Sequence, residues 1–576
     1  MPACMLPLLL TTTTTTTFAF LLSTVTAQAP FIGGKSGSHT DLNRWCGKPY
    51  DAGSPNFDPG GRLGPPPSSK QPLLDLQLHT RHTIYDSGEH MGEFIVNAAL
   101  SPFHGQPLGS HWSSLHDSSH ELDFQITIDG FRSALVSNKA LLNTTRNVFS
   151  FGLRDLEPRL EPYNVSLTAR SGGAPEQESW EVTTDLYYLP KKNSGSTVKI
   201  DNLDGGLLVS NNATGYTFQP LLPFGFYTKC DTYLEYSLAN VSAYKDYGFN
   251  ALNPVCAFTD GHLGYLYDWM DSLDLWYQYD MRGSYTNLTS VAEQIPLVKD
   301  RSNLLTWYTA DEPDGWEYAL NSTRLAYDLL RKQDPYHPTA LVLNCQNYYF
   351  ENYAAGADII MEDAYPVGID PTFSRKFNTT VNETYGDAGC DNCIGSLRDV
   401  SDRLDDFVEY QTWLGGVAKP LWAVLQAFSG EHYWSRDPTP EETWVMMVLG
   451  FNHKAKAMMS WCFPWTTRLE SAHGEMAKVA SSKEVSRFLL GGDPVAIASN
   501  SSLDIAYWSV ANQILVSVAH VENSTITDAV SIDLPPNVTR IRSQPWGSLS
   551  WSLERDGKLC TYGLDGLATS MLILDR

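Results

Sequence analysis

Between residues 215 and 490 the chain alternates short apolar, strand-like runs with helix-like segments, and no other feature constrains its fold more. Eight runs stand out, at 221–228, 249–254, 273–280, 304–312, 339–344, 358–365, 421–428 and 458–463. Helical patterns fill the gaps, 316–333 and 440–454 among them. The second of these opens with Thr439 as N-cap, Pro440 at the first helical position and Glu442 three residues after the cap. Strands that alternate with helices build a parallel sheet, and eight of them predict a closed (β/α)8 TIM barrel.

On both sides of this region the period changes to two. From 73 to 205, Leu74, Leu76 and Leu78 alternate with polar residues. Leu122, Phe124, Ile126 and Ile128 do the same before an Asp129-Gly130 turn, and 180–188 is another strand candidate. From 495 to 576, Ile514, Val516 and Val518 alternate, and 571–574 looks like a final strand. Short alternating strands with turn punctuation predict a β-sandwich at each end. Residues 30–72, rich in Gly, Pro and Ser, read as an extended arm or linker. The expectation is a multidomain α/β chain: sandwich (73–205), barrel (215–490) and smaller sandwich (495–576). At 576 residues one core would be too large, which agrees.

Residues 1–29 resemble a secretory signal. Leu8–Leu10 and Phe18–Leu22 are apolar, and Ala27-Gln28-Ala29 fits a cleavage site, although the usual positive start is missing. No later stretch is apolar enough to span a membrane, and 571–576 lacks the tail of a lipid-anchor signal. Sequons begin at Asn143, Asn164, Asn212, Asn240, Asn287, Asn321, Asn378, Asn382, Asn500, Asn523 and Asn537. Together these predict a secreted glycoprotein, and with the threonine run they suggest a fungal source. Removing the signal removes Cys4 and leaves eight cysteines, an even number that suggests disulfides of open pairing. Cys390-x-x-Cys393 lacks the second half of a zinc ribbon and reads as a disulfide-tied surface loop. A net charge of −25 opposes nucleic acid and anionic membrane as partners but leaves a neutral glycan open. A monomer is expected.

Residues 304–315 read L-L-T-W-Y-T-A-D-E-P-D-G, an apolar and aromatic run that ends in two adjacent carboxylates. In a (β/α)8 barrel the C-terminal strand ends converge on one pocket. Those ends supply Tyr279 and Asp280, Asp311 and Glu312, Asn344 and Gln346, Asp363 and Tyr365, Gln426, and Trp461 with Trp465 just beyond. Glycoside hydrolysis needs a protonated carboxyl at the leaving oxygen and a second carboxylate as nucleophile or base. Glu312 is the expected acid, kept protonated by a like charge at Asp311 or Asp363. Asp363 is the leading second carboxylate, with Asp311 tuning or assisting. Tyr365, Asn344 and Gln426 would hold substrate hydroxyls or orient carboxyls, and Trp461 and Trp465 would form a sugar platform. Blander roles exist for each: an acidic helix start for Asp311-Glu312, a loop cap for Asp363, a turn for Tyr365-Pro366, core for the tryptophans. The histidines form no metal pattern, Ser429-Gly430 lacks a nucleophile elbow, and no phosphate loop follows a strand; no metal or cofactor is implied.

Asp311-Glu312-Pro313, Tyr365 and Trp461 together resemble the clan of (β/α)8 retaining glycosidases that includes β-galactosidases, β-mannanases and family-five cellulases. D-E-P followed by D-A-Y-P, L-Q-A-F and T-P-E-E resembles, more narrowly, secreted fungal glycoside-hydrolase-like barrels. The resemblance covers about 250 residues and implies Glu312 as acid/base, Tyr365 beside the nucleophile and Trp461 lining the sugar site. One departure matters: the clan's nucleophile is a Glu ending strand seven, where this chain has Gln426. Asp363 can replace it, Glu431 can reach back, or the reaction can invert with Asp363 or Asp311 activating water. Otherwise the barrel binds glycans without cutting them, or the chain is a wall glycoprotein whose β-domains carry the function. The insertion 368–415 is expected to shape the opening.

Overall fold

The structure, a computed structural model, describes residues 41–109, 120–171, 178–256, 263–499 and 501–576. The signal segment, the start of the arm and the Asn500 sequon lie outside these residues.

Eight parallel strands close a barrel: Phe224–Lys229, Ala251–Val255, Trp276–Asp280, Leu304–Asp311, Thr339–Leu343, Ile359–Glu362, Leu421–Ala423 and Ala455–Phe463. The first strand pairs with the eighth and completes the ring. Alternation along each strand makes two cores. Tyr277, Trp307 and Leu341 face outward into the layer beneath the helices. Trp276, Tyr308, Val342, Met361 and Trp422 fill the interior. A three-stranded antiparallel sheet, Thr197–Ile200, Leu207–Ser210 and Gln219–Leu221, closes the N-terminal end. Its Val198, Ile200, Leu207 and Val209 belong to the interior core.

The predicted helix start at Thr439 is found as a capping box. Thr439 Oγ1 accepts from the Glu442 N–H at 3.2 Å, and Glu442 Oε2 accepts from the Thr439 N–H at 2.8 Å. The helix expected from 316 begins only at Ser322. Pro313 and the left-handed Glu317 (φ +54°) hold the preceding residues in turns. The second half of the expected 368–415 insertion is a barrel helix, Arg398–Leu414, so only the residues before it form a loop.

The N-terminal sandwich packs one four-stranded sheet (Gln106–Pro107, Leu73–Thr80, Met91–Ser101, Thr144–Gly152) on another (Ser179–Leu186, Tyr163–Ser171, Glu121–Ile128, Val136–Leu141). The C-terminal sandwich packs a five-stranded sheet on a three-stranded one. Disulfides join Cys46 to Cys345, Cys230 to Cys256 and Cys390 to Cys393, while Cys560 is free. As expected, Cys390 and Cys393 tie a surface loop, with Asn392 and Ile394 exposed, while the cysteines themselves pack against Ala364 and Ile369. No described helix is long and apolar enough to cross a membrane.

Of the two expectations for residues 30–72, arm or linker, the described part fits the arm. Its described part, from residue 41, is no linker; it lies across the C-terminal mouth of the barrel. A two-stranded hairpin (Arg44–Trp45 and Lys48–Pro49) is anchored by Arg44 to Glu317 at 2.7 Å and Lys48 to Asp391 at 2.6 Å. All four of these side chains are at most 4% exposed. Further along, the Leu63 N–H donates to the Asn347 carbonyl, and Gly61 lies so close to the Tyr349 ring that a Cβ would sit 2.3 Å from it. Gly and Pro content reports local flexibility; it is blind to these long-range charge pairs.

Candidate active site

Strand four delivers two carboxyl side chains to the mouth from consecutive residues. In a regular strand they would point to opposite faces. Here Glu312 takes φ +50°, a left-handed conformation that a long-chain L-residue adopts rarely. Its N–H still donates to the Val342 carbonyl at 3.2 Å. Asp311 and Glu312 are consequently both buried, 9% and 5% exposed, with different partners.

Asp311 accepts on both oxygens, from the Tyr308 hydroxyl at 2.6 Å and from Arg282 Nη1 at 3.1 Å. Arg282 also holds Asp280 through Nε at 2.7 Å, and Asp280 accepts from Asn253 at 2.9 Å. The guanidinium lies 5.3–5.5 Å from the ring centres of Tyr227, Tyr308 and Trp461, within cation–π range.

Glu312 instead faces Asp363, from the end of strand six, and the two buried carboxyls interact directly. Burial first, then the Asp363 and Asp311 charges, hold Glu312 well above the usual carboxyl range. Asp363 is pushed up to about 7 by burial and by Asp311 and Asp314, against the lowering effect of hydrogen bonds from Glu312 and Asn344. Two buried carboxyls in contact cannot both ionise, so they share a proton, and it resides on Glu312. Glu312 Oε2 and Trp461 Nε1 are buried without a hydrogen-bond partner among the described residues.

Asn344 Nδ2 donates to Asp363 Oδ1 at 3.1 Å, and Asn344 Oδ1 accepts from Trp45 Nε1 at 2.8 Å. Asp314, raised by burial to about 7, accepts from the N–H groups of Gly315, Asn344 and Cys345 and ties strands four and five together. Tyr365 is buried beside Asp363 and Glu312, its ring edge-on to Phe428 at 5.0 Å. Gln426 is spent elsewhere: Nε2 donates to the Val367 and Phe428 carbonyls, and Oε1 accepts from the Val367 N–H. Both of its donors are used on backbone, so it fastens the loop after strand six. Trp465 stands on the rim, donating to Asp437 at 2.8 Å. Glu431 is also on the rim, beside Lys376 and Tyr433, and burial raises it to about 7. Tyr279 turns outward against Trp307.

The sequence reading missed Arg282, Tyr308, Tyr227, Asp314 and Trp45. Arg282 follows Asp280 by two residues and Tyr308 precedes Asp311 by three, so both were visible as neighbours of the strand ends. Trp45 carried no signal beyond its adjacency to Cys46. A separate cavity of about 510 Å³ lies between the N-terminal sandwich and the opposite end of the barrel, lined by His79, Asn97, Arg146 and Lys456 among others. It contains none of these carboxyls.

The chain matches no protein-family model and no curated protein. Solved structures that align with it include several glycosidases. One is an α-amylase from Geobacillus thermoleovorans, 10% identical, covering 62% of this chain and 98% of that one, at a TM-score of 0.41. A debranching enzyme from Nostoc punctiforme is 9% identical over 59% and 88%, at 0.38. A β-glucuronidase from Parabacteroides merdae is 10% identical over 89% and 75%, at 0.32. Scores this low carry no inference about chemistry, and the barrel itself rests on this chain's own strand order.

Proposed function

We propose that the chain is a secreted glycoside hydrolase in which Glu312 is the acid/base and Asp363 the second carboxylate. The observation that supports it is the buried Glu312–Asp363 contact at the ends of strands four and six, with Glu312 Oε2 unpartnered beside it. A carboxyl kept protonated near neutral pH is what departure of a sugar oxygen requires. On this reading substrate enters between the two carboxyls and takes the Glu312 proton at the glycosidic oxygen, while Asp363, the ionised member, acts as nucleophile or base. Asp311, anchored by Arg282 and Tyr308, stands next to the positive charge that develops on the sugar. Asn344 and Tyr365 position Asp363, and Trp461 and Trp465 offer ring faces to the sugar. With both donors of Gln426 spent on backbone, strand six rather than strand seven supplies the second carboxylate, and Glu431 remains a rim alternative. Export is supported by the three disulfides found between described residues and by the described sequon asparagines, all exposed except the half-buried Asn240.

A second reading, glycan binding without cleavage, draws on Gln426, an amide where the strand-seven carboxylate would stand. Product release from plant and fungal-wall glycans and aryl glycosides, 2-acetamido sugars included, separates the two. Release that falls at least about a hundredfold in Glu312→Gln, less on activated aryl leaving groups, is the expected result. Equal release from both proteins would remove Glu312 from the mechanism. Binding with no release from either would favour the second reading.

A further inference from the structure

We infer that Trp45, on the N-terminal arm, is a positioning residue that decides which carboxyl of the Glu312–Asp363 pair holds the shared proton. The inference rests on the proposed role of that pair. An indole nitrogen can only donate. Trp45 Nε1 therefore takes the oxygen of the Asn344 amide, at 2.8 Å. That leaves Asn344 Nδ2 to face Asp363, to which it donates at 3.1 Å. The flipped amide would set its oxygen against a carboxylate and its NH₂ against the indole N–H, two repulsive contacts in a buried site. One donor thus fixes the amide, and the fixed amide favours the ionised form of Asp363 over that of Glu312.

Each member of this relay is held in place. Cys46, next to Trp45, is bonded to Cys345, next to Asn344. The Asn344 carbonyl accepts from Arg403 at 2.5 Å, and its N–H donates to Asp314 at 3.3 Å. The Trp45 ring meets Trp316 edge-on at 5.2 Å and covers Gly315, where a Cβ would lie 2.3 Å from the indole. Only glycine admits that approach.

The groups facing Asp363 are Glu312, Asp311 with Arg282 behind it, Asp314 and Tyr365. The arm charges near Trp45 are already paired, Arg44 with Glu317 and Lys48 with Asp391. Removing the indole N–H therefore changes the hydrogen bonding of Asp363 without changing the charges around it.

The test is Trp45→Phe, which keeps an aromatic ring over Gly315 and removes the donor. Infrared difference spectroscopy against pH follows the protonated-carboxyl band, assigned to Asp363 by its loss in Asp363→Asn. We expect the Asp363 midpoint to rise by at least about one pH unit in Trp45→Phe. Where a glycan is turned over, the acid limb of the rate profile rises with it, kcat falls about tenfold and KM stays within about twofold. Lys48→Met loosens the arm elsewhere and should lower the melting temperature without moving the midpoint. If Trp45→Phe does not fold, Gly315→Ala, which pushes the indole away, should shift the midpoint in the same direction. An unmoved midpoint in folded Trp45→Phe, or an equal shift in Lys48→Met, overturns the relay. Absence of turnover on every glycan overturns the glycosidase reading alone, because the infrared titration still decides the relay.

Discussion

The two β-sandwiches look alike in outline but join the barrel differently. The N-terminal sandwich closes a core of its own: Leu76, Phe94, Phe124, Leu167 and their neighbours all come from residues 74–188. Ion pairs such as Arg81–Asp201 and Arg146–Asp204 link it to the segment that closes the barrel's lower end. The C-terminal sandwich shares its core with the barrel. One face of its large sheet packs on its own second sheet through Ile505, Val516 and Leu572. The other face sets Trp508, Leu515, Met571 and Ile573 against the barrel's last helices, Pro440–Asn452 and Lys483–Leu490, in one cluster with the barrel's outer core. The first is an attached domain with its own hydrophobic driving force, and the second belongs to the barrel's folding unit.

The sharpest way to break this comparison is to cut each core. Trp508→Ala should cost about 3–5 kcal/mol, and barrel and C-terminal sandwich should melt together at lower temperature. Phe94→Ala should cost a similar amount, but within the N-terminal sandwich, giving a calorimetric transition separate from that of the barrel. A single transition lowered equally by both substitutions would erase the distinction. A smaller effect is the opposite pH dependence of the two units. Burial lowers His79 and His82 of the N-terminal sandwich to about 4. Between pH 4 and 6.5 the unfolded chain binds more protons at these sites, so they make stability rise with pH. In the barrel, burial raises Asp314 and Asp363 to about 7 and Glu362 to about 8. There the folded state binds more protons, so from pH 4 to 8 these groups make stability fall as pH rises. His453, raised to about 9 by Asp405 and Asp504 against the cost of burial, adds to the fall above pH 6.5. Melting followed across pH 4–8 should show the barrel transition dropping as pH rises through that whole range, with His453 adding to the drop above 6.5. Glu362→Gln should flatten that drop slightly, and no change of slope would remove Glu362 from the account.

The barrel was legible because its strands interrupt helical periodicity, and strand four carried its two carboxylates openly. The double attachment of the C-terminal sheet was not. Ile514, Val516 and Val518 alternate as a one-faced strand should, yet Leu515, Ser517 and Ala519 between them are fully buried too. Small and polar residues there concealed the second face. At the site, residue type located Glu312 and Asp363 but not their contact, which depends on a left-handed turn at a glutamate. Gln426 was visible as a departure, whereas the use of its amide on the backbone of 367 and 428 was a matter of tertiary geometry. The arm was read from composition, and composition does not register a partner hundreds of residues away.

The Cys46–Cys345 bond spans 299 positions. Cys46 leaves the ribosome before the N-terminal sandwich and the first half of the barrel exist, and its partner appears only as strand five is completed. The beginning of the chain must therefore wait, exposed, for its middle, and the mouth of the barrel is sealed late in synthesis. A chain made where thiols stay reduced would build the same strands but leave that seam unstitched.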